Sequence, residues 1–210
     1  MKNNVFHPIG IVLIISFLLF QQVIAQQPNS GKLSFPKGFL WGAASAAYQA
    51  EGGTKADGRG PNTWDKYLNP PYSVAKMVTG QDANGDISIN QYDRTQFLKD
   101  VKLMKELGIN TYRLSISWSR VLPEGTGKVN EAGIDYYNFV INALLKEGIK
   151  PMVTLYHFDL PLALANKGGW MNRESVKWFV DYANLCFDRF GDRVKMFLTF
   201  NEPAIEMFFL

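Results

Sequence analysis

The sequence predicts an α/β protein on a parallel sheet, the amino-terminal half of a (β/α)8 barrel with about four strands and three helices. Three observations carry this. Three amphipathic stretches each run into a glycine (Gly108, Gly148 and Gly191), and an apolar, β-branched run starts within a few residues of it. Helices of this length alternating with buried strands imply parallel βαβ units. Polar residues suited to binding then gather at the carboxyl ends of successive strands: Gln49, Ser117, His157, and Asn201 with Glu202. A doubly wound sheet shares the rhythm, but no glycine-rich phosphate turn follows the first strand. Strand ends that converge on one face are barrel behaviour.

The elements follow in order. Lys2, an apolar run from Ile9 to Phe20, and Val23-Ile24-Ala25 before Gln26 predict a secretory signal peptide over residues 1–25. The run is short for a membrane span, so none is expected after cleavage. A polar linker, Gln26 to Lys32, leads to Phe35–Gly42, which is expected to enter a first strand continuing through small residues to Tyr48-Gln49. A Gly-, Pro-, Asn- and Asp-rich loop is expected from Glu51 to about Asn84. A first helix runs from Tyr92 to Leu107 with Phe97, Val101, Met104 and Leu107 on one stripe, and a strand covers Thr111 to Ser117. Asn130 caps a second helix through Tyr137, Val140, Ile141, Leu144 and Leu145, followed by a strand from Met152 to Tyr156. Asn172 caps a third, with Val176, Phe179, Val180, Ala183, Cys186, Phe187 and Phe190 on its stripe. The last strand, expected as a short buried run from Lys195, stops at Asn201-Glu202-Pro203, because proline cannot donate to a ladder. Such a half-barrel leaves open edges, at the strands near Trp41 and Phe197.

Composition narrows the function. The 210 residues are 47% hydrophobic with a net charge of +3, or +2 once Lys2 leaves with the leader, too small and scattered for a nucleic-acid surface. Lys99, Lys102 and Lys105 read as the solvated face of the first helix. Cys186 is the only cysteine, so no internal disulfide forms; inside its apolar stripe it reads as core. No metal site is read, because His157 is the only histidine outside the leader. His157 can hydrogen-bond a ligand hydroxyl or serve as a satisfied core histidine. The amides of Gln49 and Asn201 suit sugar hydroxyls, and Trp41, Trp64, Trp118 and Trp170 are expected beside the loops of the same face, where rings stack on sugars. Glu202, at a strand end, is expected half-buried and fit for proton transfer.

Six stretches give a resemblance: FPKGFLWGAASAAYQAEGG (35–53), NTWDKY (62–67), TYRLSISWSRVLPEG (111–125), TLYHFDLP (154–161), GGW (168–170) and GDRVKMFLTFNEP (191–203). Together and in this order they resemble the plant β-glucosidases of glycoside hydrolase family 1. The resemblance implies a (β/α)8 barrel and a retaining reaction on terminal β-D-glucosyl residues, with two carboxyl groups about 5–5.5 Å apart. Glu202 matches the acid/base, Asn201 the residue holding the sugar 2-hydroxyl, and Gln49 and His157 glycone-binding positions. Arg113 matches the arginine that orients the nucleophile. Phe158 stands where the family often has tryptophan, and Leu114 where phenylalanine is frequent. The implied substrate is a small-molecule β-glucoside, with no cofactor, no metal and no nucleic acid, and the oligomeric state is left open. With the leader, the implied location is the secretory pathway, extracellular (apoplast) or vacuolar.

One part is missing. The family's nucleophile glutamate follows the seventh strand in a Glu-Asn-Gly motif, which these 210 residues do not contain. Glu206 follows the same strand as Glu202 and is no substitute. The expectation is a catalytic domain over residues 26–210 truncated before its nucleophile, and inactive alone. The alternative is a non-catalytic remnant or weak carbohydrate-binding fragment.

Overall fold

A computed structural model describes residues 34–209. The leader, its cleavage site and the whole linker lie outside the described residues. The chain divides after Phe39 into two compact units. In the first, Phe39 N–H donates to Pro36 O at 3.1 Å, closing a turn that brings the Phe35 and Phe39 rings to 4.5 Å.

The second unit carries the sheet. Its strands are β1 (Gly42–Ala44), β2 (Thr111–Ser115), β3 (Lys150–Tyr156) and β4 (Met196–Phe200), all parallel in the order β1-β2-β3-β4. Each strand lies beside its sequence neighbour. That is barrel order, and the reversal of a doubly wound sheet is absent from these four. The connection from β1 to β2 holds α1 (Ala47–Ala50), α2 (Thr63–Leu68), α3 (Val74–Thr79) and α4 (Arg94–Glu106). Between β2 and β3 lie α5 (Trp118–Val121) and α6 (Glu131–Lys146). Between β3 and β4 lie α7 (Leu162–Ala165), a 3-10 turn (Gly169–Met171) and α8 (Ser175–Phe190), and α9 (Pro203–Phe209) follows β4. No helix among the described residues is long and apolar enough to cross a membrane.

The three long helices, α4, α6 and α8, start and stop for local reasons. Asp93 Oδ1 accepts from the N–H groups of Thr95 and Gln96 at 2.7 and 3.1 Å, which fixes the start of α4 just after the expected Tyr92. Asn130 does occupy the cap position of α6, but its side chain reaches elsewhere, donating to Asp57 O and Arg120 O. Asn172 Oδ1 accepts from Glu174 N–H, one turn ahead of α8, which begins at Ser175. Gly108 and Gly148 end α4 and α6 at φ +76° and +74°, where a side chain is strained. Gly191 is different: its φ is −68°, and glycine is required because a Cβ would stand 2.5 Å from Phe187 O.

One core lies between sheet and helices. Tyr112 and Leu114 from β2 and Val153 and Leu155 from β3 join Phe97 and Val101 of α4, Val140, Ile141 and Leu144 of α6, and Tyr182, Cys186 and Phe190 of α8. Cys186 is fully buried there, and burial pushes its thiol far above the ordinary range, which suits core and not nucleophile.

Several expectations need correction. The first strand is three residues long, and Gln49 sits in α1, because Ser45 N–H already bonds Arg113 O and the chain turns away. The loop expected from Glu51 to Asn84 contains α2 and α3; α2 is started by a reciprocal pair in which Asn62 and Asp65 each bond the other's backbone N–H. Leu107 is exposed, as are Leu145 and, on α8, Val176, Val180 and Phe187, so the buried stripes are narrower than their apolar patterns. Trp118 is wholly buried, stacked at 4.5 Å on Tyr182 and donating to Gly125 O. Trp41 precedes β1 and its carbonyl accepts from Asn110 and Thr111 at the start of β2, so it marks the amino end of the sheet, opposite the binding face.

Candidate active site

The carboxyl ends of β2, β3 and β4 bring three of the five nominated residues together around Arg113. Arg113 Nε donates to Thr154 Oγ1 at 2.9 Å, and Nη2 donates to Asn201 Oδ1 at 2.8 Å. The register explains the reach. Arg113 pairs with Met152 and Ser115 with Thr154, so the arginine must lean along the strands to Thr154 and cross β3 to reach the end of β4. Asn201 is buried, and its N–H donates to Tyr156 O at 2.9 Å, so its side-chain direction is held from two sides.

His157 is the third member. It is half-buried, and its imidazole is pushed down to about 4 by burial, with the nearby Arg113 charge adding to the effect. It is therefore neutral at physiological pH, and its buried Nδ1 has no hydrogen-bond partner among the described residues. A neutral imidazole carries one N–H donor and one acceptor nitrogen, which meets the chemical need of a hydroxyl-binding group.

The other two residues stand at the margin. Glu202 follows Asn201 and is exposed, not half-buried as its strand-end position suggests. Its backbone is left-handed at φ 42°, and Phe158 has φ 66°. Tyr156 and Phe200 are partners in register, so these two non-glycine residues occupy equivalent places two positions beyond the pair. Conformations of this kind cost about 1 kcal/mol or more and gather at functional sites. Gln49 is exposed in α1, and no hydrogen bond among the described residues joins it to the other four. Its helix is nonetheless tied inward, since Ala47 N–H donates to Ser115 Oγ at 2.7 Å.

A layer beneath the site has no signal in the sequence pattern. Glu51 is buried: its Oε2 accepts from Arg120 Nε at 2.9 Å and its Oε1 from the Tyr137 hydroxyl at 2.6 Å. The Tyr92 ring lies 4.1 Å from the Arg120 guanidinium. Asp159 is fully buried, and burial pushes its carboxyl up to about 8, partly offset by the Arg59 charge. Glu51 to Arg120 spans 69 residues and Arg113 to Asn201 spans 88, so no local pattern announces either contact. The described residues hold no cluster of His, Cys, Asp and Glu that could bind a metal ion.

Comparison with known proteins shows the family. A sequence model for glycosyl hydrolase family 1 matches residues 32–209. β-Glucosidase 34 of Oryza sativa subsp. japonica is 48% identical over 196 residues, covering 92% of this chain and 37% of that protein. β-Glucosidase 40 of Arabidopsis thaliana is 52% identical over 171 residues, 81% of this chain and 32% of that protein. Among solved structures, the family 1 β-glucosidase from Thermotoga maritima superposes with a TM-score of 0.76 at 47% identity, covering 82% of this chain and 37% of that one. The chain thus spans about a third of the length of these relatives.

Proposed function

Because the chain belongs to glycosyl hydrolase family 1, we propose that it carries the acid/base side of a retaining β-glucosidase acting on terminal β-D-glucosyl residues. The observation that carries this reading is the Thr154–Arg113–Asn201 chain of hydrogen bonds, which sets the buried Asn201 amide immediately before Glu202 at the mouth of β4. In this proposal Glu202 protonates the leaving oxygen and later draws the proton from water. Asn201 holds the 2-hydroxyl, the neutral His157 ring hydrogen-bonds another sugar hydroxyl, and Gln49 closes the cradle from α1. Arg113 serves in two ways, fixing Asn201 and presenting its charge where an attacking carboxylate belongs.

The reaction needs a second carboxylate across the sugar, and the 210 residues contain no Glu-Asn-Gly motif to supply it. On this proposal they do not turn over glucosides alone. General acid catalysis contributes about 10²–10⁴-fold, against the 10⁶-fold or more of an enzyme. The experiment assays an aryl β-glucoside with this chain, then with residues 26–210 joined to the carboxyl-terminal remainder of a family member. Activity is expected only in the joined protein and should fall at least about 10²-fold in Glu202→Gln. Turnover that survives that substitution places the acid/base elsewhere. The secretory leader belongs to the same proposal, and amino-terminal sequencing of secreted protein should begin at Gln26.

A further inference from the structure

The turn that follows β3 is pinned to the start of α2. Thr63 N–H donates to Leu160 O at 2.9 Å, the Thr63 hydroxyl to Phe158 O at 3.1 Å, and Leu162 N–H to Pro61 O at 2.9 Å. These bonds hold residues 158–162 and stop short of His157, from which the chain passes through the left-handed Phe158. Among the described residues, no carbonyl in the surrounding turns and loops accepts the His157 N–H. A half-buried N–H must then find its hydrogen bond on a side chain.

The side chain at hand is Asp159, 1% exposed. The Ser117 hydroxyl, just past β2, and the His157 N–H, just past β3, both lie close enough to its carboxyl to draw down the affinity for its proton. Neither reaches full hydrogen-bond geometry, and the Ser117 hydroxyl has no other partner among the described residues. The carboxyl thus stands between the ends of two neighbouring strands, and each end offers it a donor that the sheet leaves over. The other groups that face it have partners of their own. Arg59 is paired with Asp65 at 2.8 Å, and Glu51 with Arg120 at 2.9 Å and Tyr137 at 2.6 Å. The phenols of Tyr156 and Tyr182, raised by burial, stay neutral. A carboxyl group keeps acceptor capacity for both strand ends whether or not it carries its proton.

We propose that Asp159 is a positioning residue: its carboxyl clamps the end of β2 to the end of β3 and, through the His157 N–H, sets the direction in which the His157 ring faces a ligand. With its backbone fixed, the imidazole keeps the place near Arg113 where burial holds it neutral. Asn201 is set by Arg113 and His157 by Asp159, so the two groups proposed to meet sugar hydroxyls have separate anchors. That His157 meets a sugar rests on the glucosidase reading. The clamp does not, and its test contains no sugar, so either can fail without the other.

The test follows the isotope-labelled whole chain by NMR through a pH titration, as wild type, Asp159→Asn and Asp159→Ala. His157 is the only histidine outside residues 1–25, which keeps its ring signals simple to assign. In wild type the His157 amide should shift with a midpoint near pH 8, where Asp159 gives up its proton, and that inflection should vanish in Asp159→Asn. Asp159→Asn keeps an acceptor in the same shape, so its His157 ring should still titrate near 4. In Asp159→Ala the N–H loses its partner and the ring turns toward water. Its proton affinity should then rise at least about tenfold, toward the ordinary value of 6.5. The Trp118 indole N–H, bonded to Gly125 O, should keep its resonance throughout and so separates local release from unfolding. If Asp159→Ala unfolds, the Asp159→Asn titration decides. A His157 amide without an inflection, an inflection that persists in Asp159→Asn, a ring that titrates alike in wild type and folded Asp159→Ala, or Asp159→Asn behaving as Asp159→Ala would each overturn the proposal.

Discussion

Strands β2 and β4 have the same length, and β4 is the more apolar, MFLTF against TYRLS, yet four of the five β2 residues are buried and none of the five in β4. β3 matches β2 in being mostly buried, while β1 is exposed throughout. The difference is one of neighbours. β2 and β3 have a strand on each side, and β1 and β4 are the ends of the row. The candidate site straddles this boundary. Arg113, Thr154 and His157 come from the inner pair, while Gln49 follows β1 and Asn201 and Glu202 follow β4. Burial fixes the inner half of the site. The outer half is held by a few bonds that reach inward, from Ser45 N–H to Arg113 O, from Ala47 N–H to Ser115 Oγ, and from Arg113 to Asn201.

The largest effect should come from the inner region's buried ion pair. Arg120→Met leaves Glu51 buried without its cation, although Tyr137 still donates to it. Removing one partner of such a pair costs about 3–5 kcal/mol, a large share of a domain's stability. Urea unfolding should show a correspondingly lower midpoint. A shift of less than about 1 kcal/mol would mean that the layer beneath the site is not what holds the inner strands.

A matched pair of truncations tests the comparison directly. Leu155 of β3 is fully buried, and Leu155→Ala should cost about 2–5 kcal/mol. Leu198 of β4 is 37% exposed, and Leu198→Ala should cost about 1 kcal/mol or less. Equal costs would break the distinction between inner and edge strands. Hydrogen exchange should rank the strands the same way, with β2 and β3 amides exchanging most slowly.

The sequence makes one side of this comparison easier to read than the other. The three long helices and the three strands that follow them are legible because apolar periodicity and terminal glycines are local signals, and Gly108 and Gly148 act through their own backbone. The exposed stripe positions Leu145, Val176 and Phe187 look the same as buried ones, since periodicity reports a face and not what covers it. The sequence overstates the extent of β1 because small apolar residues suit a strand or a helix, and the Ser45–Arg113 bond decides between them. In the site, residue types at strand ends point to His157, Asn201 and Glu202, but Thr154 is visible only once the register sets it against Arg113.

The smallest predicted effect is a pH dependence from the inner region, and its sign separates two buried groups. Burial raises the Asp159 carboxyl from 3.8 to about 8, so the folded protein keeps a proton that the unfolded chain releases above about pH 4. Its contribution to stability is complete below the unfolded value and is lost as pH rises through the folded one. His157 acts in the opposite sense: lowered from 6.5 to about 4, it favours the folded state above 6.5 and loses that contribution as pH falls through about 4. The two oppose each other between about pH 4 and 6.5, and above that His157 is neutral in both states. From pH 6.5 to 8, then, Asp159 acts without that opposition, and stability should fall by on the order of 1–2 kcal/mol. Asp159→Asn, which has no proton to lose, should flatten this slope in urea midpoints measured across the same range. A slope that persists unchanged in Asp159→Asn would show that the Asp159 carboxyl is not buried in the way its surroundings indicate.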